Sequence, residues 1–151
     1  MRKGRSKYSL DESLGYLTGN ASRAVLKRIN QELSRRGFPI TSDQFLVLVH
    51  LWDQGGQPQY ALVEKLFKDK TQMARLVANL ESRGLITRLT GPRDARERIV
   101  FLTQQGSDMM GRIAALVQEI LNLAQRGIAE SDLSTCKDVL RRFHANLLQT
   151  L

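Results

Sequence analysis

Gln72, Arg75, Asn79 and Ser82 recur at i, i+3, i+7 and i+10, which sets two amides, a guanidinium and a hydroxyl along one face of a helix. Such groups hydrogen-bond base edges in the major groove of duplex DNA. Arg75 is the leading base-reading candidate, because one guanidinium can bond O6 and N7 of guanine together. The competing account is an exposed arginine paired with Glu81 or Asp94. Gln72 has two roles open: folding back onto the helix start as the partner of Asp69 in a capping box, or projecting into the groove. Lys68, Lys70 and Thr71 cluster at the same helix start, where free N–H groups and the positive end of the helix dipole suit a phosphate. Lys68 is expected on the DNA backbone, against the alternative of a solvated charged turn. Downstream, Arg93, Arg96 and Arg98 crowd a turn-rich loop suited to the minor groove, whose negative potential attracts guanidinium groups. Arg96 is expected to insert there, and Asp94 to pair with a neighbouring arginine and fix the loop.

These residues need a scaffold, and the surrounding pattern supplies one. Over 69–84, Met73, Val77 and Leu80 recur at i, i+4 and i+7, a buried ridge beside the polar stripe. Residues 85–89 and 98–103 read as two short strands joined by the loop 90–97. Upstream, 59–67 reads as a short helix with Ala61, Leu62, Leu66 and Phe67 apolar. Thr41 and Gln44 form a capping-box pair that opens a helix rich in Phe45, Leu46, Leu48, Val49, Leu51 and Trp52, which stops at Gly55 and Gly56. The expected architecture is mainly α with a small β-hairpin, a winged helix-turn-helix over 41–103. Helices flank it on both sides. At 10–36, Leu14, Leu17, Ala21, Val25, Ile29 and Leu33 make a stripe broad enough to need a partner along its whole length, and Gly37 with Pro39 stops it. Gly15 and Gly19 each weaken that helix by up to ~1 kcal/mol relative to Ala unless close packing offsets the cost. From 104 onward Met110, Ile113, Val117, Ile120 and Ala124 share one face. After Gly127, Ser131 can cap a last helix carrying Leu133, Cys136, Leu140, Phe143 and Leu147.

At 151 residues the chain is large enough to bury roughly 68–70% of its surface. Lys and Arg outnumber Asp and Glu by 23 to 15, a net charge of +8, and the pI is near 10.1, which favours a polyanionic partner. The single Cys136 excludes an intramolecular disulfide and a multi-cysteine zinc site, and its place in an apolar stripe suggests a small buried hydrophobe. Only His50 and His144 are available for acid–base work, and no nucleophile–base set, metal-ligand cluster or phosphate loop stands out, so catalysis, cofactors and metals are not expected. His50 reads as a core or surface histidine and Trp52 as core packing, with lining of an effector pocket as the alternative for both. The basic start at 1–9 reads as a solvated arm, or one that adds a phosphate contact. No secretory h-region and no apolar run of about 18 residues is present, so a cytoplasmic location without membrane contact is expected. A rival to DNA is a winged helix that binds RNA or protein, which would show little preference between duplex sequences.

Taken together, these motifs resemble the MarR (multiple antibiotic resistance regulator) family over nearly the whole chain. The family's Asp-Pro-Arg-Asp-x-Arg wing, followed by a strand and Leu-Thr-x-x-Gly, is similar to Gly91-Pro92-Arg93-Asp94-Ala95-Arg96 and Leu102-Thr103-Gln104-Gln105-Gly106. The run 68–71, with Arg75-Leu76-Val77, Leu80-Glu81 and Arg83-Gly84-Leu85-Ile86, resembles its recognition helix. Gly91 stands where the family usually has Asp, which removes that residue's salt bridge and is expected to loosen the tip. The resemblance implies a single domain over 1–151 whose segments 10–36 and 104–151 form a homodimer. It also implies a twofold-symmetric double-stranded DNA site, a repressor role, and a small aromatic or amphipathic effector bound where the dimer helices meet the winged lobe. The stripes at 14–33, 109–124 and 133–147 exceed what a winged helix of about 60 residues can cover, which agrees with a dimer. Oxidant sensing through a first-helix cysteine is disfavoured, since none is present there.

Overall fold

The computed structural model describes residues 9–149; the basic arm expected to fray or to touch phosphate lies outside them, save Ser9. The described chain divides into two compact units, one ending at Val117 and one beginning at Gln118.

In the first unit a single 3-10 turn, Leu10–Glu12, precedes α1 (Leu14–Arg35), so the expected helix from 10 is interrupted. Ser13 is the reason: its hydroxyl accepts the Tyr16 N–H at 3.3 Å and caps α1 at that point. Gly37, at φ +75°, ends the helix, and the Phe38 N–H reaches the Leu33 carbonyl. Then follow α2 (Ser42–Gln54), a two-residue strand β1 (Gln57–Pro58), α3 (Gln59–Leu66), α4 (Lys70–Ser82), β2 (Ile86–Thr90), β3 (Arg98–Leu102) and α5 (Gln104–Ala124). Of the stripe read along α1, Ile29 and Leu33 are buried; Leu14 and Leu17 are exposed in the isolated chain.

The sheet has three strands, in the order β1-β3-β2, where the sequence pattern gave a hairpin alone. β1 pairs antiparallel with β3 through Gln57↔Val100 and Pro58↔Ile99, and β2 pairs with β3 from Ile86↔Leu102 to Thr90↔Arg98. Two residues carry no readable alternation, so β1 left no trace in the pattern. Gly56 precedes it because a Cβ there would run into the Phe101 ring.

The core of this lobe is Phe45, Val47, Leu48 and Leu51 of α2, Leu62 of α3, the Met73, Val77 and Leu80 ridge of α4, and Leu85, Ile86 and Val100 around the sheet. Each is nearly excluded from water, and each fully buried aliphatic side chain contributes about 1.5–3 kcal/mol. Trp52 is not among them. It sits one step round the helix from Leu51, at the rim of the buried face, and remains 45% exposed, so the expected core packing does not occur in the isolated chain.

In the second unit, the end of α5 is followed by Gly127 at φ +79° and by α6 (Glu130–Gln149). The helix begins one residue before Ser131, which therefore does not cap it; the Leu133 N–H reaches the Ala129 carbonyl, and the Ser131 carbonyl accepts from the Thr135 hydroxyl. None of the described residues of α6 is buried, and Cys136 is exposed, contrary to its expected burial.

Candidate nucleic-acid interface

The recognition-helix candidate, α4, is built by two local devices. Asp69 is its N-cap, accepting the Gln72 N–H at 2.7 Å, while the Gln72 side-chain oxygen accepts the Asp69 N–H at 3.4 Å. Gln72 therefore takes the capping role of the two left open by the sequence, with its NH2 group pointing away from the cap. Met73, Val77 and Leu80 bury the opposite face. Lys70, Thr71, Gln72 and Arg75 are exposed along the first two turns. Arg75 forms none of the ion pairs found among the described residues, and both proposed partners are committed elsewhere. Glu81 holds Arg88 of β2 in a two-pronged contact of 2.7 and 3.1 Å. That hydrogen bond and charge hold the Glu81 carboxyl below the usual carboxylate range and raise the Arg88 guanidinium. The clamp ties the recognition helix to the wing, and the sequence reading missed it; its signal was an acid and a base flanking the glycine turn.

Two other candidate residues are engaged by partners within the protein. Lys68 pairs with Asp43 at the start of α2, 2.8 Å apart, in place of the free phosphate ligand or solvated turn expected of it. Asn79 accepts from the buried Gln44 side chain at 2.8 Å. Gln44 in turn completes the expected capping box with Thr41. Between Lys68 and α3, Phe67 occupies the left-handed region at φ 51° with 75% of its surface exposed. That conformation costs an ordinary side chain on the order of 1 kcal/mol.

In the wing, Arg93 and Arg96 are exposed at the tip. Asp94 does not grip a neighbouring guanidinium. Its carboxylate accepts the backbone N–H of Arg96 at 2.9 Å, a turn closure that leaves the Arg96 side chain free of it. Arg98 folds back across the hairpin, donating to the Ala95 carbonyl at 3.0 Å and the Thr90 hydroxyl at 3.4 Å. Gly91 tightens the loop: its N–H reaches the Glu97 carbonyl at 2.9 Å, and a Cβ there would sit 2.9 Å from the Glu97 Cβ. The wing base is locked by Thr103, whose hydroxyl donates to the Gly84 carbonyl and accepts the Gly106 N–H at 3.1 Å, while its own N–H reaches Leu85.

A cavity of about 580 Å³ opens between α3, α4 and the wing, lined in part by Tyr60, Val63, Lys70, Arg88 and Arg96. A second, of about 340 Å³, runs beside the polar stripe between Lys68, Gln72, Arg75 and Asn79. Neither is lined by the effector candidates His50 and Trp52. The His50 Nδ1–H donates to the Leu46 carbonyl at 3.0 Å, a bond within its own helix.

A helix-turn-helix followed by a basic β-wing, with the second helix presenting lysine and arginine over an apolar ridge, defines the winged-helix class of DNA-binding proteins. A MarR family model matches residues 40–97, the lobe just described. The transcriptional regulator HosA of Escherichia coli is 30% identical over 96 residues, covering 54% of this chain and 71% of HosA. Another E. coli HosA sequence is 35% identical over 71 residues, 47% of this chain, and there the match spans about half, 53%, of that protein. An organic hydroperoxide resistance transcriptional regulator of Bacillus subtilis is 28% identical over 142 residues, 94% of this chain and 91% of the relative. A MarR family regulator from Listeria monocytogenes, crystallised with a 26mer DNA, shares the fold with a TM-score of 0.81 at 24% identity, over 90% of this chain and 89% of that one. The chain belongs to the MarR family of transcriptional regulators, whose members here are regulators and not enzymes.

Proposed function

We propose that this regulator is a homodimer that binds a twofold-symmetric duplex site sequence-specifically and represses the promoter it covers. The observation that carries the reading is the pairing of two exposed basic elements on one rigid lobe: Lys70 and Arg75 on α4, and Arg93 and Arg96 on the wing tied to it by the Glu81–Arg88 clamp. Arg75 reads a base, Lys70 and Thr71 meet phosphate at the helix start, and Arg96 enters the minor groove. Gln72 and Asn79 contribute only what their internal bonds leave over, and Arg98 and Asp94 shape the wing. Lys68 acts on the backbone only if DNA displaces Asp43.

Dimerisation is supported by apolar faces that stay exposed among the described residues. Leu14 and Leu17 of α1 are exposed, as are Leu140 and Leu147 of α6, whose apolar stripe has no buried member. A second copy is the occupant, and it sets two recognition helices about 34 Å apart, one turn of DNA. A small aromatic or amphipathic effector then acts by favouring a dimer of the wrong spacing, to the extent of its differential affinity for the two forms. No helix among the described residues is long and apolar enough to cross a membrane, and the chain works in the cytoplasm on this reading.

The test is selection from a randomised duplex pool, followed by binding of the enriched site and a scrambled control across a salt series. A symmetric winner preferred at every salt concentration is expected. Equal, steeply salt-dependent binding to both would reduce the chain to a non-specific basic protein.

A further inference from the structure

Both carboxamides of the recognition helix have their oxygen atoms tied inside the protein, and the orientation of each is dictated by a backbone donor. The Thr41 N–H can only donate, so the Gln44 atom that meets it at 3.0 Å is the oxygen. The other end of Gln44 is then NH2, and the Asn79 atom that accepts from it at 2.8 Å must be Oδ1. The same Oδ1 lies 3.5 Å from an Arg83 guanidinium nitrogen, so both of its lone pairs face protein donors. By the same logic the Asp69 N–H fixes Oε1 of Gln72 inward. What remains outside on both residues is NH2. The carboxylates flanking the stripe are engaged as well, Asp69 with the Gln72 N–H and Glu81 with Arg88.

From this we infer that the amides of the recognition helix present only donors to DNA, which excludes the two-bond reading of adenine that a free asparagine or glutamine performs. Reading adenine by an amide requires its oxygen to accept from N6 while its nitrogen donates to N7. Asn79 and Gln72 can do only the second half. Lys70 and Arg75 add ammonium and guanidinium donors, the Thr71 hydroxyl can donate as well as accept, and the Ser82 hydroxyl already donates to the Asn79 carbonyl at 2.8 Å. The targets of these donors in the major groove are acceptors: O6 and N7 of guanine, O4 of thymine and N7 of adenine. Adenine N6 and cytosine N4 find no amide or carboxylate oxygen waiting for them. Gln44, a buried residue of α2 that need not touch DNA, sets this specificity by holding the Asn79 oxygen.

The inference rests on the DNA-binding reading above and deepens it. Its test uses the full-length protein and the duplex enriched in the selection, with base analogues placed one at a time across each half-site. Replacing a contacted guanine by 7-deazaguanine removes N7 and should weaken binding about fivefold or more. Replacing adenine by purine, which lacks N6, should change binding less than twofold relative to the same replacement outside the site. In a second arm, Gln44→Met keeps the length and apolar contacts of the side chain but cannot donate to Asn79. Its freed oxygen should admit adenine at one position per half-site in a repeated selection, while circular dichroism checks that the variant is folded. A loss of fivefold or more on removing N6 within the major-groove contacts of the wild type would overturn the donor-only amides and leave the DNA-binding reading intact. An unchanged preference in folded Gln44→Met would remove Gln44 from that role. A pool that yields no preferred sequence would sink the DNA reading itself, and the donor-only inference with it.

Discussion

Gly106→Ala should destabilise this protein, although alanine is the better helix former and the same change at Gly111 of the same helix should not. The Cβ built at Gly106 collides with the carbonyl oxygen of Leu85, lies 3.0 Å from its carbonyl carbon and 3.1 Å from Cδ2 of Leu102. Leu102 can rotate, but the Leu85 carbonyl cannot, because it accepts the Thr103 N–H at 3.1 Å and follows Gly84, whose carbonyl takes the Thr103 hydroxyl. Relief requires the start of α5 to withdraw from the turn between α4 and β2, at the expense of those two hydrogen bonds. At about 1 kcal/mol each, with roughly 1 kcal/mol or more for the overpacking itself, the loss comes to about 3 kcal/mol. For a chain of this size that corresponds to a melting temperature lower by roughly 6–12 °C. The control is Gly111→Ala five residues on, where nothing lies within 4 Å and helix propensity alone should stabilise by up to ~1 kcal/mol. Thermal melts of the two variants and the wild type, at one protein concentration, decide the matter. A Gly106→Ala protein melting within 2 °C or so of wild type would refute the claim that this glycine is a fixed point of the wing base.

Arg96→Ala should weaken binding to the enriched duplex and reduce the salt slope by about one unit, read from affinities across a salt series; an unchanged slope would take the wing tip out of the interface. Arg75→Ala should relax preference at one base position per half-site, whereas uniform weakening on all sequences would demote it to a phosphate contact. Truncation after Gly127 should give monomeric or aggregated protein in light scattering, and a stable truncated dimer would contradict the use assigned to α6. The acid limb of stability should carry a contribution from Glu81, whose folded pKa lies below the unfolded value because of Arg88. That contribution is present above the unfolded carboxyl value of about 4.3 and disappears as pH falls through the folded value. In Glu81→Gln the wild-type advantage measured at pH 7 should therefore shrink toward pH 3 in urea titrations.

The sequence spoke most clearly where a local rule has a local cause. The capping boxes at Thr41 and Asp69 and the stops at Gly37 and Gly55 occur as expected because each depends on residues a few positions apart. The apolar ridge of α4 was legible for the same reason. What escaped were contacts between distant segments: Gln44 with Asn79 is separated by 35 residues and Lys68 with Asp43 by 25, and no periodicity in either segment points to the other. Charge type also misled at short range. Asp94 beside Arg93 and Arg96 suggested an ion pair, yet at a tight turn the backbone N–H two residues on is the nearer donor. Gly91 was read as a loosened tip because a salt-bridging Asp was missing, whereas the close approach of Glu97 leaves no room for a side chain. Cys136, Leu140 and Leu147 lie on a stripe that is exposed in this chain, so pattern alone overstated how much of it is buried.

The smallest element of the fold has a mechanical consequence. β1 is only two residues long, yet it stitches the segment entering the helix-turn-helix to β3, while the Glu81–Arg88 clamp stitches α4 to β2 on the far edge of the same sheet. Helix and wing are thereby fastened at both sides and travel as one lever. In the binding mode proposed above, any tilt of that lever lifts the contacts of helix and wing in the same stroke, and neither stays seated while the other leaves. A modest rotation then produces release in a single step where two independently hinged arms would let go by degrees, so occupancy of the promoter should respond as a switch.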